Sequence, residues 1–128
     1  MVKTEKELSC GLIGEHLGHS YSKIIHGFIA DYSYELCELA PEAVGDFVKN
    51  GELDCFNVTI PYKKTVMPYL DEISPEAQRI GSVNTVVRRE NGCLEGYNTD
   101  YFGFNATLDR LGVEIKGKKA LVLGSGGA

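Results

Sequence analysis

Apolar residues fall in short runs along this chain, and their spacing switches repeatedly between the periods of strands and helices. Leu8–Gly14 is an apolar run closed by glycine, which predicts a buried strand. Across Ser20–Tyr32 the apolar residues Ile24, Ile25, Phe28, Ile29 and Tyr32 recur at helical spacing. Tyr34–Leu39 alternates as a second strand does, and Pro41–Lys49 opens with Pro and Glu, as helices do. Cys55–Ile60 is β-rich until Pro61, with a short helix expected through Met67. Ser74–Gly81 carries Ser-Pro-Glu at its start and Gly at its end, the marks of another short helix. Val83–Arg89 and Cys93–Tyr97 flank Asn91-Gly92 and predict a hairpin. Asp100–Leu111 is an amphipathic pattern with Phe104, Leu108 and Leu111 on one side, stopped by Gly112.

Strands alternating with helices in the first half predict parallel pairing, and the hairpin adds an antiparallel element. The fold class is therefore α/β, with a mixed, mostly parallel sheet and helices on both faces. The last segment, Lys118–Ala128, reads as an apolar strand at Ala120–Leu123 followed by Gly124-Ser125-Gly126-Gly127-Ala128. That is the pattern of the first strand and glycine turn of a dinucleotide-binding (Rossmann) domain, where glycine lets the backbone approach a pyrophosphate. The division expected is a domain over residues 1–112 and the start of a second, incomplete one over 113–128. The chain is read as a truncated form.

Composition narrows the function. The 128 residues are 43% hydrophobic and 24% charged, enough for one domain with a core. The net charge of −5 is spread without a basic stripe, so no nucleic-acid partner is expected. No apolar run approaches the ~18–20 residues that span a bilayer, and the charged, polar Met1–Ser9 lacks an apolar signal region. A cytoplasmic protein without a membrane partner is expected. Cys10, Cys37, Cys55 and Cys93 show no CxxC or Cys/His spacing; they read as reduced thiols, and no metal is expected.

Three polar clusters carry candidate chemistry. In Gly18–Ser22, Ser20 and Ser22 place two hydroxyls at the head of a helix, a cradle for a carboxylate; ordinary N-capping is the alternative. In Asn57–Lys63, a strand delivers Asn57 and Thr59 to one face, and Pro61 turns the chain so that Lys63 points back; a solvated lysine is the alternative. Asn84-Thr85 and Asn98-Thr99-Asp100 flank the hairpin and bring Asn84 and Asp100 to one end of the sheet, unless Asp100 simply caps the following helix. Together they supply what is needed to hold a small polyhydroxylated carboxylate and move a proton.

In order, His19–Ser22 (HSYS), Asn57–Lys63 (NVTIPYK), Ile80–Val86 (IGSVNTV), Gly96–Asp100 (GYNTD) and Leu123–Ala128 (LGSGGA) resemble the motifs of the shikimate dehydrogenase family. The resemblance runs from Leu8 to Ala128. It departs from the family pattern at Lys23, where proline is usual, at Gly27 in place of Asn and at Ser82 in place of Ala. The resemblance implies NADPH-dependent, reversible reduction of 3-dehydroshikimate to shikimate in aromatic amino-acid biosynthesis. It implies that Ser20 and Ser22 hold the substrate carboxylate and that Thr59, Asn84 and Asp100 bond the ring hydroxyls. Lys63 and Asp100 would be the catalytic pair, with Lys63 either a general base or a charged donor. Gly124, Ser125, Gly126, Gly127 and Ala128 would begin the NADP site. The truncated chain is not expected to turn over alone, and a homodimer through its exposed C-terminal strand is expected. A non-catalytic receptor for a cyclic polyol carboxylate, and a quinate or aminoshikimate dehydrogenase, are the alternatives.

Overall fold

A computed structural model describes residues 8–124. The elements, in order, are β1 (Ser9–Gly14), α1 (Ser22–Ile29), β2 (Ser33–Glu38), a 3-10 turn (Pro41–Ala43), α2 (Val44–Asn50) and β3 (Cys55–Val58). After a second 3-10 turn (Met67–Tyr69) come β4 (Glu72–Ile73), α3 (Pro75–Ile80), β5 (Thr85–Arg88), β6 (Leu94–Tyr97) and α4 (Thr99–Arg110). The Ile60–Pro61 peptide bond is cis.

The strands form one six-stranded sheet ordered β2-β1-β3-β5-β6-β4. β1 runs parallel to both β2 and β3, and β4 runs parallel to β6. The pairs β3–β5 and β5–β6 are antiparallel, the second closing the expected Asn91-Gly92 hairpin. The two-residue β4 has no counterpart in the sequence pattern. It is too short to show alternation, and its pairing with β6 across the sheet edge is what makes it a strand.

Period-two alternation divides the core between the two faces of the sheet. Ile13, Phe56, Val58 and Val86 pack against Val44 and Val48 of α2 and Ala77 of α3, all 2% exposed or less. On the other face Cys10, Leu12, Leu17 and Tyr34 form a smaller cluster. Helix α1 reaches this face through His26, which stacks on Tyr34 at 3.9 Å between ring centroids. The apolar residues that α1 is predicted to bury are instead largely exposed, Ile24 at 58% and Phe28 at 87%.

Helix ends follow the local chemistry. Ser74 caps α3, its hydroxyl accepting from the Ala77 N–H at 3.3 Å, and Gly81 closes that helix in the left-handed conformation with φ 70°. Helix α4 buries none of its residues, and Phe104 and Leu111 are 66% and 70% exposed. The apolar side expected of it has no partner surface among the described residues. The predicted strand at Ala120–Leu123 is not present either. The segment forms no regular element, and Leu121, Val122 and Leu123 are at least 78% exposed. A strand exists only where a neighbour takes its backbone bonds, and β2 and β4 already form the edges of this sheet. Of the expected glycine turn, Gly124 is described, whereas Ser125, Gly126, Gly127 and Ala128 lie outside the described residues. No helix among the described residues is long and apolar enough to cross a membrane.

Candidate active site

The second and third polar clusters meet where β1 and β3 end and β5 begins. Backbone bonds make the junction. Thr59 N–H donates to the Ile13 carbonyl at 3.0 Å, Val58 N–H to the Asn84 carbonyl at 2.8 Å, and Val83 N–H to the Lys63 carbonyl at 2.8 Å. The turns after β3 thus fold back beside the start of β5, and Lys63 lies next to the Val83–Asn84 segment.

From there Lys63 Nζ reaches Asp100 Oδ2 at 2.6 Å, a charge-assisted bond, with the lysine side chain 15% exposed and the carboxylate 54%. Lysine is therefore neither solvated nor alone, which removes the plainer reading of its position. Asp100 does not cap α4. That role belongs to Asn98, whose Oδ1 accepts from the Tyr101 N–H at 3.1 Å while its Nδ2 donates to the Ser82 carbonyl at 2.9 Å. Freed from capping, Asp100 in the first turn turns its carboxylate to Lys63.

Asn84 is 7% exposed and held by its neighbours. Its Oδ1 accepts from the Thr99 N–H at 2.9 Å and from the Thr85 hydroxyl at 3.0 Å, and its Nδ2 donates to Thr99 Oγ1 at 2.9 Å. These bonds settle which end of the amide is which. They occupy the oxygen and leave a second Nδ2 proton available to a ligand oxygen. The support continues across the sheet. Asn57 Nδ2 donates to Thr85 Oγ1 at 3.2 Å, and Tyr34 donates its phenolic proton to Asn57 Oδ1 at 2.8 Å. Burial pushes the Tyr34 phenol up to about 12, against the opposing pull of a bond to Ser22. It therefore stays a protonated donor at neutral pH. Tyr34 does not stand out in the sequence, and Thr85 and Thr99 enter it only as members of the two Asn-Thr pairs. Their role depends on which strands are neighbours, which residue spacing does not show.

Ser20, Ser22 and Thr59 line one cavity of about 300 Å³ together with Leu12, His16, Leu17, Gly18 and His19. Neither serine caps α1, whose N-cap is Tyr21 without a side-chain bond. Ser20 Oγ instead accepts from the Ser22 N–H at 3.2 Å. Gly14 lies against two of these residues: a Cβ there would stand 2.6 Å from Leu17 Cδ2 and 2.7 Å from Thr59 Cγ2, so both side chains would have to shift. Lys63, Asn84 and Asp100 form the neighbouring group and do not line that cavity themselves. A larger cavity of about 370 Å³ lies between β4, β6 and Arg89, away from these residues. Among the described residues no group of three or more His, Cys, Asp or Glu side chains is arranged to hold a metal.

Such a sheet, with hydroxyls, amides and one lysine–carboxylate pair gathered where its strands end, is a small-molecule binding domain of the α/β class. Residues 12–86 match the family described as shikimate dehydrogenase substrate binding domain, and the chain belongs to that family. It is 44% identical to the shikimate dehydrogenase (NADP(+)) of Chlorobaculum tepidum over 100% of this chain and 46% of that protein. The crystal structure of shikimate dehydrogenase 1 from Peptoclostridium difficile superposes with a TM-score of 0.84 at 43% identity, covering 92% of this chain and 46% of that one. The shikimate 5-dehydrogenase of Thermus thermophilus, solved in complex with shikimate, also gives 0.84, at 40% identity over 94% and 48%. The chain thus spans about half the length of the relatives it matches.

Proposed function

We propose that this chain is the substrate-holding half of an NADP-dependent shikimate dehydrogenase, acting in the reversible reduction of 3-dehydroshikimate to shikimate. The observation that carries the reading is the Lys63–Asp100 pair, 2.6 Å apart and adjoining the fixed amide of Asn84. Simple recognition of a polyol does not require a lysine held against a carboxylate. Exchange of a proton at an oxygen that alternates between ketone and alcohol does.

Ser20 and Ser22 take the substrate carboxylate in the cavity they line, and Thr59, Asn84 and Asp100 bond the ring hydroxyls. Asn84 contributes an N–H donor, since its oxygen is already engaged. Lys63 donates one N–H to Asp100 and presents the others to the reacting oxygen. As a carbonyl is reduced, this charge stabilises the developing alkoxide and supplies its proton; in the reverse direction the amine takes the proton back. NADPH, when bound, would supply the hydride. Gly124 has φ 102°, a backbone conformation that favours glycine and is open to a tight turn at the start of that site; Gly126 and Gly127 would continue it.

The test is a titration of the ¹⁵N-labelled 128-residue chain with shikimate, followed by NMR. Saturable shifts should fall on Ser20, Ser22, Thr59, Lys63, Asn84 and Asp100, and Lys63→Ala and Asn84→Ala should weaken them. Shifts confined to another surface, such as the cavity beside Arg89, would refute the assignment.

A further inference from the structure

Away from the polar end, two thiols face one another across neighbouring strands. Cys10 of β1 and Cys55 of β3 are register partners in a parallel pair. Neighbouring strands lie about 4.8 Å apart, within the range from which a disulfide closes without moving backbone. Alternation puts both side chains on the same face of the sheet, and their sulfurs are 2.7 Å apart. Both are free thiols. They also share access, because both line a cavity of about 260 Å³ with Leu8, His26, Tyr32 and Tyr34. Cys10 is 5% exposed, whereas Cys55 is only partly buried. The other cysteines lack such a partner in register. Cys37 lies opposite Ile13, and Cys93 sits in the β5–β6 turn.

We propose that Cys10 and Cys55 form a redox-active dithiol, which a peroxide or a small disulfide entering this cavity converts to a disulfide joining β1 to β3. With hydrogen peroxide, the more accessible Cys55 thiolate attacks the O–O bond. A sulfenic acid forms and hydroxide leaves, taking up a proton to become water. The Cys10 sulfur then attacks the Cys55 sulfur, the S–O bond breaks, and a second water leaves. The two thiols lose two protons and two electrons, and the peroxide is reduced to two waters. With a small disulfide, Cys55 forms the mixed disulfide and Cys10 displaces the remaining thiol.

Burial, and the bond that the Cys10 S–H makes to Cys55, push the Cys10 thiol up to about 12. Cys10 therefore keeps its proton at neutral pH and acts second, and closure accelerates as the pH rises. This inference does not rest on the shikimate reading, since neither thiol belongs to the proposed substrate site.

The experiment exposes the reduced 128-residue chain to hydrogen peroxide or oxidised glutathione, then alkylates it and measures mass. The expected product is a monomer two hydrogens lighter, with two alkylated thiols instead of the four cysteines of the sequence. Proteolysis should give one cross-linked peptide pair holding Cys10 and Cys55, released by dithiothreitol. A Cys37→Ser/Cys93→Ser chain should behave the same way. Cys10→Ser should stop at a glutathione adduct on Cys55, and oxidation in urea should give mixed pairings. Four alkylated thiols, a bridge to Cys37 or Cys93, or sulfinic acid at Cys55 without cross-linking would each overturn the proposal.

Discussion

At the scale of single residues, Lys63 is decided by its partner. A lysine after a strand is ordinarily solvated, but here the Val83–Lys63 backbone bond and the Asp100 contact hold it at the site. Joined to the nucleotide-binding half of a full-length relative, Lys63→Ala should lower kcat by about 10²-fold or more, typical of losing a proton-transfer or charge-stabilising group. KM should change less, while Ser22→Ala should raise KM more than it lowers kcat. Steady-state kinetics with shikimate separate the two. His26 gives a second prediction at this scale. Burial holds it below its ordinary value of 6.5. The unfolded chain then binds the proton more readily, so stability is complete above about pH 6.5 and declines as the pH falls below it. The urea midpoint should drop over that window, and His26→Phe, which keeps a ring against Tyr34, should flatten the decline.

At the scale of elements, the site rests on how helices and strands end. Asn98 closes β6, caps α4 and ties both to the Ser82 carbonyl, and it is 4% exposed. Asn98→Ala removes the cap and the buried bond to the Ser82 carbonyl, and should cost about 2–3 kcal/mol in denaturant unfolding. Asn98→Asp keeps the capping oxygen but loses the donor to Ser82, and should fall between Asn98→Ala and the unaltered chain. Because Asp100 sits two residues further on, shikimate binding should weaken in step with stability. The elements themselves were largely legible in the pattern. The Asn91-Gly92 hairpin, the Ser74 and Gly81 ends of α3, the apolar run of β1 and the β-rich run of β3 all depend on local chemistry. Strand β4 was not legible, since two residues carry no period and only β6 defines them.

At the scale of the whole molecule, one sheet carries the fold, and the described residues beyond α4 add little to it. Residues 118–124 are exposed and join no strand. Deleting residues 118–128 should leave the unfolding free energy within about 0.5 kcal/mol, as for changes at exposed positions without buried contacts. A loss of cooperativity in thermal unfolding would show that the tail belongs to the core. The exposed Leu121–Leu123 run invites pairing with another chain, so sedimentation of the same deletion should show less self-association.

What the sequence alone determined is what depends on neighbours along the chain: element types, turn and cap residues, the mixed α/β class, and the motifs that place the chain in its family. Thr59, Lys63, Asn84 and Asp100 were legible as candidates because those motifs are contiguous. Tertiary structure decided the rest. It set which strands pair, so that Cys10 meets Cys55 and Tyr34 supports Asn57. It decided that Asp100 turns to Lys63 while Asn98 takes the cap, and that the apolar sides of α1 and α4 are left exposed. The reason is physical. Periodicity records which way a side chain faces relative to its own element, whereas a partner across space, separated by 37 residues for Lys63 and Asp100, appears only when the sheet closes the distance.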